Sequence, residues 1–408
     1  MILNLRKIFI LIFFFAAPFI DALTGKLIFS DILTEGSLLS PSQLFRFFLT
    51  VFSFYFLKSK ELVFVLTVIC CFLLIEFISL SFHQNFAGFL IGLVYSYKLV
   101  FILLVFLVLK PIFLNYTEYL LLKYFVISGF LYAIILLFSI VLGIDEATYT
   151  VGAFGSKGLF ASGNGLSIFL GVSSVLSFSY YKKEKTFVAL FYYLILVVST
   201  VLVGTKASIF FLVINLFLIL FASKKNFYIL GATTFLFLLI YLEKVINVFS
   251  IAFDVIIIRY NNSPSLMEFI ASNRDNYVKD AFEVFGNSSF QPLRIIFGSG
   301  VFLSFRDYNN LILPYDTLES DFFDLLFSYG ILGLVVYLVI IFWGMYLSLK
   351  HKNYIYFITW TALCFYSLVA GHMLFNSMAN IAFVILIILI FAAPKSSNEK
   401  ENNCNPSS

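Results

Sequence analysis

Charge is scarce in this sequence of 408 residues: Asp, Glu, Lys and Arg make up 12% of it, and hydrophobic residues make up 62%. Ordinary soluble domains carry about 25% charged residues, so the composition excludes a soluble globular protein. The formal net charge is only +4, and the basic residues are scattered along the chain. Because no basic patch is present, nucleic acid is not an expected partner.

Histidine and cysteine are also rare, with three and four residues respectively. They form no cluster at metal-ligand spacing, and the cysteines show no disulfide pattern. The sequence has no P-loop, no dinucleotide-binding fingerprint and no Gly-x-Ser-x-Gly elbow. These absences argue against zinc catalysis, ATP hydrolysis, hydride transfer and serine-hydrolase chemistry, and we expect neither a metal nor a cofactor.

Long apolar runs are abundant instead. Several reach the length of about 18 residues that a helix needs to cross the hydrocarbon core of a bilayer, and they are continuous rather than alternating, which favours helices over barrel strands. The sequence therefore predicts an all-α polytopic membrane protein with about 12 transmembrane helices. The predicted spans cover residues 8–20, 43–57, 62–82, 88–109, 118–143, 164–181, 186–204, 207–222, 226–242, 322–348, 354–371 and 377–393.

Four segments follow from this pattern: residues 1–242 with nine spans, a large polar loop at 243–321 that contains short helices, residues 322–393 with three spans, and a polar tail at 394–408 that we expect to be disordered. The basic N-terminus followed by an apolar run is also typical of a secretory signal, but no clear cleavage site follows, so it is kept as the first span. Lysines and arginines in short loops fall mostly on one side, which predicts two cytoplasmic termini and an extracytoplasmic loop at 243–321.

Basic residues on the predicted outer face are candidates for binding an anionic ligand. Lys157 and Lys206 lie at predicted membrane borders against the orientation bias, although a lysine can also extend to lipid headgroups there. The long loop contains arginines among more numerous carboxylates: Arg259, Arg274, Arg294 and Arg306. Structural ion pairs and bidentate binding of a diphosphate are both consistent with such arginines.

The long loop also predicts two local structures. Residues 272–285 carry apolar side chains at helical spacing and predict an amphipathic helix, either against the membrane domain or in the interface. Gly298-Ser299-Gly300 predicts a turn that binds an anion through its N–H groups or simply reverses the chain. Inside predicted spans, Asp324 and Glu76 are functional candidates because charge there is costly, and for Glu76 we favour a structural role.

Four motifs resemble those of the Wzy-type O-antigen and capsule polymerases, which share a superfamily with the O-antigen ligases. The motifs lie within residues 150–345 and are Gly158-Leu-Phe160 followed by Asn164, Gly204-Thr-Lys206-Ala-Ser208, Arg274 followed by Phe297-Gly-Ser-Gly300, and the stretch from Glu319 to Gly333. Ligases usually carry a His-Asn pair where this chain has Glu319-Ser320, and an arginine near position 155 where this chain has Gly155 and Lys157. These departures favour a polymerase over a ligase.

The resemblance implies a metal-independent glycosyltransferase in a bacterial plasma membrane. It would polymerise undecaprenyl-diphosphate-linked repeat units into O-antigen or capsule, with one lipid-linked glycan as donor and another as acceptor, in the lipid bilayer beside a chain-length regulator and a flippase. Arg274 would stabilise the departing diphosphate, and Glu319 or Asp321 would accept the hydroxyl proton. Substrate or diphosphate binding would fall to six other residues: Lys157, Lys206, Arg259, Arg294, Arg306 and Asn164.

Two other functions stay open at this stage. One is ligase-type transfer of a finished glycan to a lipid or protein acceptor. The other is transport or flipping of lipid-linked glycans, for which repeat symmetry and polar residues near the middle of the membrane would be expected, and the sequence shows neither clearly.

Overall fold

The computed structural model describes residues 2–34, 37, 39–83, 86–115, 118–149, 154–222, 261, 274–286, 291–301, 318–369, 371 and 373–392. The described residues are mostly helical. The helices are α1 (Ile2–Leu11), α2 (Ala17–Phe29), α3 (Pro41–Phe54), α4 (Ser59–His83), α5 (Phe86–Asn115), α6 (Glu118–Val141), α7 (Gly163–Glu184), α8 (Phe187–Val203), α9 (Lys206–Ala222), α10 (Arg274–Gly286), α11 (Gln291–Phe297), α12 (Asp321–Lys350), α13 (Tyr354–Val369) and α14 (Ser377–Ala392). A π-helical turn, Ile12–Ala16, joins α1 to α2.

Several of these helices have the dimensions of membrane spans. In the described part of the chain, five are long and apolar enough to cross a bilayer: Leu5–Phe29, Ser59–Ser81, Gly88–Pro111, Glu118–Val141 and Asp321–Lys350. Four shorter apolar helices accompany them: Phe187–Val203, Lys206–Leu220, Tyr354–Val369 and Ser377–Ala392. This is the composition expected of an all-α membrane protein. The total of 12 crossings and the orientation stay predictions, and the predicted span 226–242 and tail 394–408 lie outside the described residues.

The structure corrects the sequence-based description at two places. The first predicted span was placed at 8–20, but the helix continues to Phe29. Its polar side chains have partners within the protein: Asp21 accepts a hydrogen bond from Tyr132 Oη at 2.6 Å, and Thr24 Oγ1 donates to the Ile20 carbonyl at 2.9 Å. The second correction is a two-stranded antiparallel hairpin that was not predicted, formed by β1 (Glu146–Tyr149) and β2 (Phe154–Gly158).

The chain divides into two compact units. The first consists of Met1–Ala17, Gly36–Tyr124 and Ala271–Ser408. In this unit α4 packs on α5 through a buried cluster of Val65, Val100 and Leu104. α12 packs on α13 where Gly344 leaves room for the indole of Trp360, whose Nε1 donates to an α12 carbonyl at 2.9 Å. These contacts fix the long helix α12, on which the candidate site is built.

The second unit consists of Pro18–Glu35 and Phe125–Ile270. At its centre is α7, which is buried without interruption from Gly165 to Tyr180. Small residues permit this enclosure, since a Cβ at Gly171 would lie 2.2 Å from the ring of Phe211. The helix begins at a capping residue, Ser162, whose Oγ accepts the N–H of Gly165 at 3.2 Å. Enclosure of α7 holds the segments at its ends in defined positions.

Candidate functional site

The described parts of the predicted outer loop pack onto the first turns of α12. α10 buries Ala281 against Leu318 and Phe327, and the Phe282 ring meets the Phe327 ring edge-on with centroids 5.0 Å apart. Four further side chains surround this cluster: Tyr277, Val278, Phe285 and Phe323. The predicted amphipathic helix is therefore confirmed. It begins at Arg274 and lies with its apolar face on the start of α12.

Asp324 organises the residues that lead into α12. Its carboxylate accepts the N–H of Leu318 at 2.7 Å and the N–H of Ser320 at 3.2 Å, and the side chain is buried. Asp324 therefore fixes residues 318–320 relative to the helix.

Asp321 connects the start of α12 to the turn that follows α13. Its Oδ2 accepts from Ser367 Oγ at 2.9 Å and from the Met373 N–H at 3.0 Å, and its Oδ1 accepts from the Leu374 N–H at 3.2 Å. The side chain is fully buried. With three donors on two oxygens, this carboxylate positions the turn, and its role as proton acceptor stays a prediction.

Glu319 has a left-handed backbone conformation, with a φ of 56°. This conformation is costly for a residue with a side chain, and a close approach accounts for it. A Cβ at Gly371 would lie 2.3 Å from the Glu319 carbonyl, and Ser320 Oγ donates to the Leu368 carbonyl at 2.9 Å. The Glu319 side chain is only partly buried. Of the two predicted catalytic carboxylates it is the more exposed.

The Gly298-Ser299-Gly300 segment docks on a break in α12. Helical geometry is lost at Gly330, where φ is 68° and ψ is −169°, so carbonyls of the preceding turn lose their partners within the helix. The Ser299 N–H donates instead to the Phe327 carbonyl, and the Gly300 N–H donates to the Ser328 carbonyl, each at 3.0 Å. The loop therefore completes the hydrogen bonding of a broken helix.

These bonds favour the second of the two alternatives predicted for this turn, a chain reversal, over an anion-binding turn. The Gly298 N–H donates to the Arg294 carbonyl at 2.8 Å, so this N–H and those of the two residues after it are directed at protein carbonyls. Glycine is required here for a steric reason. A Cβ at Gly298 would lie 2.1 Å from the Ser328 carbonyl oxygen, and a Cβ at Gly330 would lie 2.2 Å from the Ile296 carbonyl oxygen. The two backbones approach too closely for side chains.

Glu76 of α4 holds the far side of the same segment. Its Oε1 accepts the Val301 N–H at 3.1 Å, and Ser79 Oγ donates to the Ser299 carbonyl at 2.5 Å. A Cβ at Gly300 would lie 2.8 Å from Glu76 Oε2, and one at Gly92 would lie 2.1 Å from it. The carboxylate is 2% exposed. Its contacts agree with the structural role favoured from the sequence: Glu76 attaches the loop to the helices.

In the second unit the hairpin is joined to the connection between α8 and α9. Thr148 Oγ1 donates to the Val203 carbonyl at 2.6 Å, and a Cβ at Gly155 would lie 2.4 Å from the same oxygen. Gly155 has a φ of 71°, a conformation that glycine adopts without strain. This junction places the hairpin beside the first residues of α9.

Three predicted binding residues consequently lie at one end of the second unit: Lys157 in β2, Asn164 in the first turn of α7 and Lys206 at the start of α9. Lys157 Nζ lies 4.7 Å from the centroid of the Phe29 ring, within cation–π range. The Asn164 carbonyl accepts from Ser167 Oγ at 2.8 Å, and Lys206 is exposed. Two of the three are thus cations, Lys157 in a strand and Lys206 at the start of an apolar helix.

The remaining predicted residues are described in part. α10 begins at Arg274, whose side chain lies outside the described residues, and Arg259 and Arg306 lie outside them entirely. Arg294 is partly buried in the last turn of α11, where its carbonyl anchors Gly298. In the first unit the structure therefore gathers Glu319 and the helices that carry Arg274 and Arg294 around the start of α12.

Sequence reasoning missed the partner of Glu76 because that partner is a backbone N–H 225 residues away along the chain. It also did not assign Lys26 to a site. The available signal was the position of Lys26 near the end of a span on the predicted outer side, the same side as Lys157. In the structure Lys157 Nζ lies over the ring of Phe29, which follows Lys26 by three residues on α2.

No protein-family model matches the chain, and a comparison with curated proteins finds no match. The functional argument therefore depends on the residues and their geometry.

Proposed function

We propose that the chain is a glycosyltransferase that polymerises oligosaccharide repeat units carried on polyprenyl diphosphate, on the outer face of a bacterial plasma membrane. The observation that carries the proposal is the docking of α10 and α11 on the first turns of α12, a helix with the dimensions of a membrane span. These two short helices carry Arg274 and Arg294. Docking attaches the helices that carry both arginines to the first turns of a helix with the dimensions of a span, and the phosphates of a lipid-linked diphosphate lie where a span ends.

The reaction is the displacement of polyprenyl diphosphate from a sugar. A hydroxyl oxygen of the acceptor glycan attacks the anomeric carbon of the donor's reducing-end sugar, and a new C–O bond forms. The bond from that carbon to the diphosphate oxygen breaks, and the diphosphate leaves with the electron pair. The hydroxyl proton passes to a carboxylate. Negative charge grows on the leaving group, so fixed cations near it lower the barrier.

Arg274 is assigned to the departing diphosphate because the planar guanidinium can donate to two phosphate oxygens at once. Glu319 is assigned as the base because its side chain is partly exposed, whereas Asp321 is buried with three donors. In this assignment Asp321 is a positioning residue that sets the backbone on which Glu319 is carried.

Both units contain predicted diphosphate-binding cations: Arg274 and Arg294 on α10 and α11 in the first, and Lys157 in β2 and Lys206 at the start of α9 in the second. Polymerisation needs two lipid-linked diphosphates at once, a donor and an acceptor. A ligase needs only one, because its acceptor is a different molecule. The duplication of cationic sites therefore supports a polymerase.

The test is reconstitution of the purified full-length protein in liposomes with polyprenyl-diphosphate-linked repeat units. We expect a ladder of polymer without any other acceptor, and we expect Arg274→Ala to abolish it. Lys279→Ala is the matched control, because Lys279 is an exposed cation on the same helix and is not assigned to the site. Movement of glycan across the bilayer without a change in chain length, or transfer only to an added lipid or protein acceptor, would contradict the proposal.

A further inference from the structure

An apolar groove of about 410 Å³ runs along the surface of the second unit. α2 contributes Phe19 and Leu23 to one wall, and α6 contributes Ile134 and Phe138 to the other. These four side chains are between 39% and 63% exposed, so the walls are open to a ligand. The groove continues from Phe19 to Lys26, seven residues of helix or about 10 Å.

The hairpin closes one end of the groove. Ile144, just before β1, and Leu159, just after β2, both line it. α2 reaches this closure only because Gly25 has no side chain, since a Cβ there would lie 2.0 Å from the Leu159 carbonyl oxygen. On the α6 side, a Cβ at Gly158 would lie 2.7 Å from Ser139 Oγ. The closed end is therefore a built feature of the fold.

Two cations lie at the closed end. Lys26 lines the groove, and Lys157 Nζ lies over the ring of Phe29, one helical turn further along α2. The spans that contain α2 and α6 end close by, at Phe29 and Val141. The closed end consequently lies at a membrane surface, while the opposite end reaches into the hydrocarbon.

We propose that this groove holds the isoprenoid chain of a polyprenyl diphosphate and that Lys26 and Lys157 bind its two phosphates. The inference deepens the proposed function and rests on it, because it supplies one of the two lipid-carrier sites that polymerisation requires. An apolar trough that ends in a pair of cations is complementary to a molecule with an apolar chain and an anionic head.

A single groove that ends at two lysines fits polyprenyl diphosphate better than an ordinary phospholipid. A diphosphate carries two adjacent phosphates, which matches two lysines, whereas a phosphatidylglycerol headgroup carries one. A polyprenyl carrier has one chain, which matches a single groove, whereas a phospholipid has two. Three carboxylates, Asp31, Asp145 and Glu146, also lie close in sequence to the residues that form the closed end. The electrostatic potential around the two lysines therefore has contributions of both signs.

The experiment is site-specific photocrosslinking in the full-length protein. Phe138 is replaced by p-benzoylphenylalanine, and the purified protein in phosphatidylcholine nanodiscs is titrated with ³²P-labelled undecaprenyl diphosphate. The matched control position is Phe342 of α12, which is equally exposed, at 64% against 63% for Phe138. We expect saturable crosslinking at position 138 that excess unlabelled undecaprenyl diphosphate removes and equimolar phosphatidylglycerol does not.

Substitutions test the two ends of the groove separately. Lys26→Gln and Lys157→Gln should each raise the half-saturating concentration about tenfold, the effect of losing one charge-assisted hydrogen bond. Leu23→Trp should suppress crosslinking by filling the groove. Lys352→Gln and Val336→Trp, at exposed positions of the first unit, are the controls and should leave it unchanged.

Equal, non-saturable crosslinking at positions 138 and 342, or equal competition by phosphatidylglycerol, would show contact with bulk lipid and overturn the inference. An unchanged half-saturating concentration of undecaprenyl diphosphate in both lysine variants would overturn the inference as well. A polymer ladder measured on the same wild-type protein separates the two proposals. A polymer ladder without saturable crosslinking at position 138 would contradict this inference but not the proposed function. Saturable crosslinking without a ladder would support the lipid-binding groove and contradict the polymerase activity.

Discussion

Carboxylates at the start of α12 have different surroundings, and these surroundings separate their tasks. Asp324 accepts two N–H groups of the preceding loop, and Asp321 accepts three donors from α13 and the turn after it. Both are buried, so both act within the protein. Glu319 is partly exposed and has the backbone strain typical of functional positions.

Glu319→Gln should lower polymerisation by a factor of about 100 or more, the contribution typical of a general base. It should leave the thermal unfolding temperature unchanged, because the amide has the same shape. Asp321→Asn should lower both polymerisation and the unfolding temperature. The amide NH2 cannot accept the hydrogen bonds that one carboxylate oxygen receives, and their loss should lower the free energy of unfolding by about 1–3 kcal/mol. Thermal unfolding and ladder formation on the same preparations check both variants. Unchanged turnover in Glu319→Gln would remove Glu319 from its assigned role.

Glu76 is expected to matter for stability and loop docking. Glu76→Leu removes the acceptor of the Val301 N–H and should destabilise the protein by about 1–3 kcal/mol. Glu76→Gln keeps an oxygen acceptor and should recover most of that loss. Hydrogen exchange at residues 298–301 is the measurement, and Leu74→Ala, an exposed position on the same helix, is the control. Equal protection in Glu76→Leu and wild type would contradict the docking role.

At the scale of elements, the break in α12 depends on Gly330. Ala at this position would require a conformation that is nearly restricted to glycine and would bring its Cβ to 2.2 Å from the Ile296 carbonyl oxygen. Gly330→Ala should therefore lower the free energy of unfolding by about 3 kcal/mol. Gly143→Ala is the control, because Gly143 also has a positive φ, of 66°, but has open space around it, so only about 1–2 kcal/mol is expected. Similar unfolding temperatures for the two variants would show that the contact with α11 is unimportant.

The docking of α10 can be tested through its most buried residue. Ala281→Arg places a charge in the cluster with Leu318 and Phe327 and should release the helix and abolish polymerisation, with membrane insertion retained. Glu283→Arg introduces the same side chain at an exposed position two residues later and should leave activity near the wild-type level. Ladder formation and limited proteolysis of α10 read out both variants. Full polymerisation activity of Ala281→Arg would show that docking of α10 is not required at the candidate site.

Helices were largely predictable because long apolar runs and the helical spacing of Tyr277, Val278 and Ala281 are local signals. The hairpin was not, since its strands are only four and five residues long and depend on a carbonyl of α8 and on glycines. The candidate site was predicted as a set of residues, but not as an arrangement. The roles of Asp321, Gly298 and Glu76 follow from partners distant in sequence, and no periodicity reports such contacts.

For the whole molecule, the account depends on which side of the membrane carries the site. Lys279 is exposed on α10, beside the candidate site, and Lys352 is exposed in the turn between α12 and α13, at the opposite end of α12. Because α12 has the dimensions of a span, the two positions should lie on opposite sides of the membrane.

The most direct measurement is labelling of single cysteines with a membrane-impermeant maleimide on intact spheroplasts, in a variant whose native cysteines are replaced. The account predicts that Lys279→Cys is labelled from outside and that Lys352→Cys is labelled only after permeabilisation. The reverse pattern, with position 279 facing the cytosol, would contradict transfer between lipid carriers on the outer face.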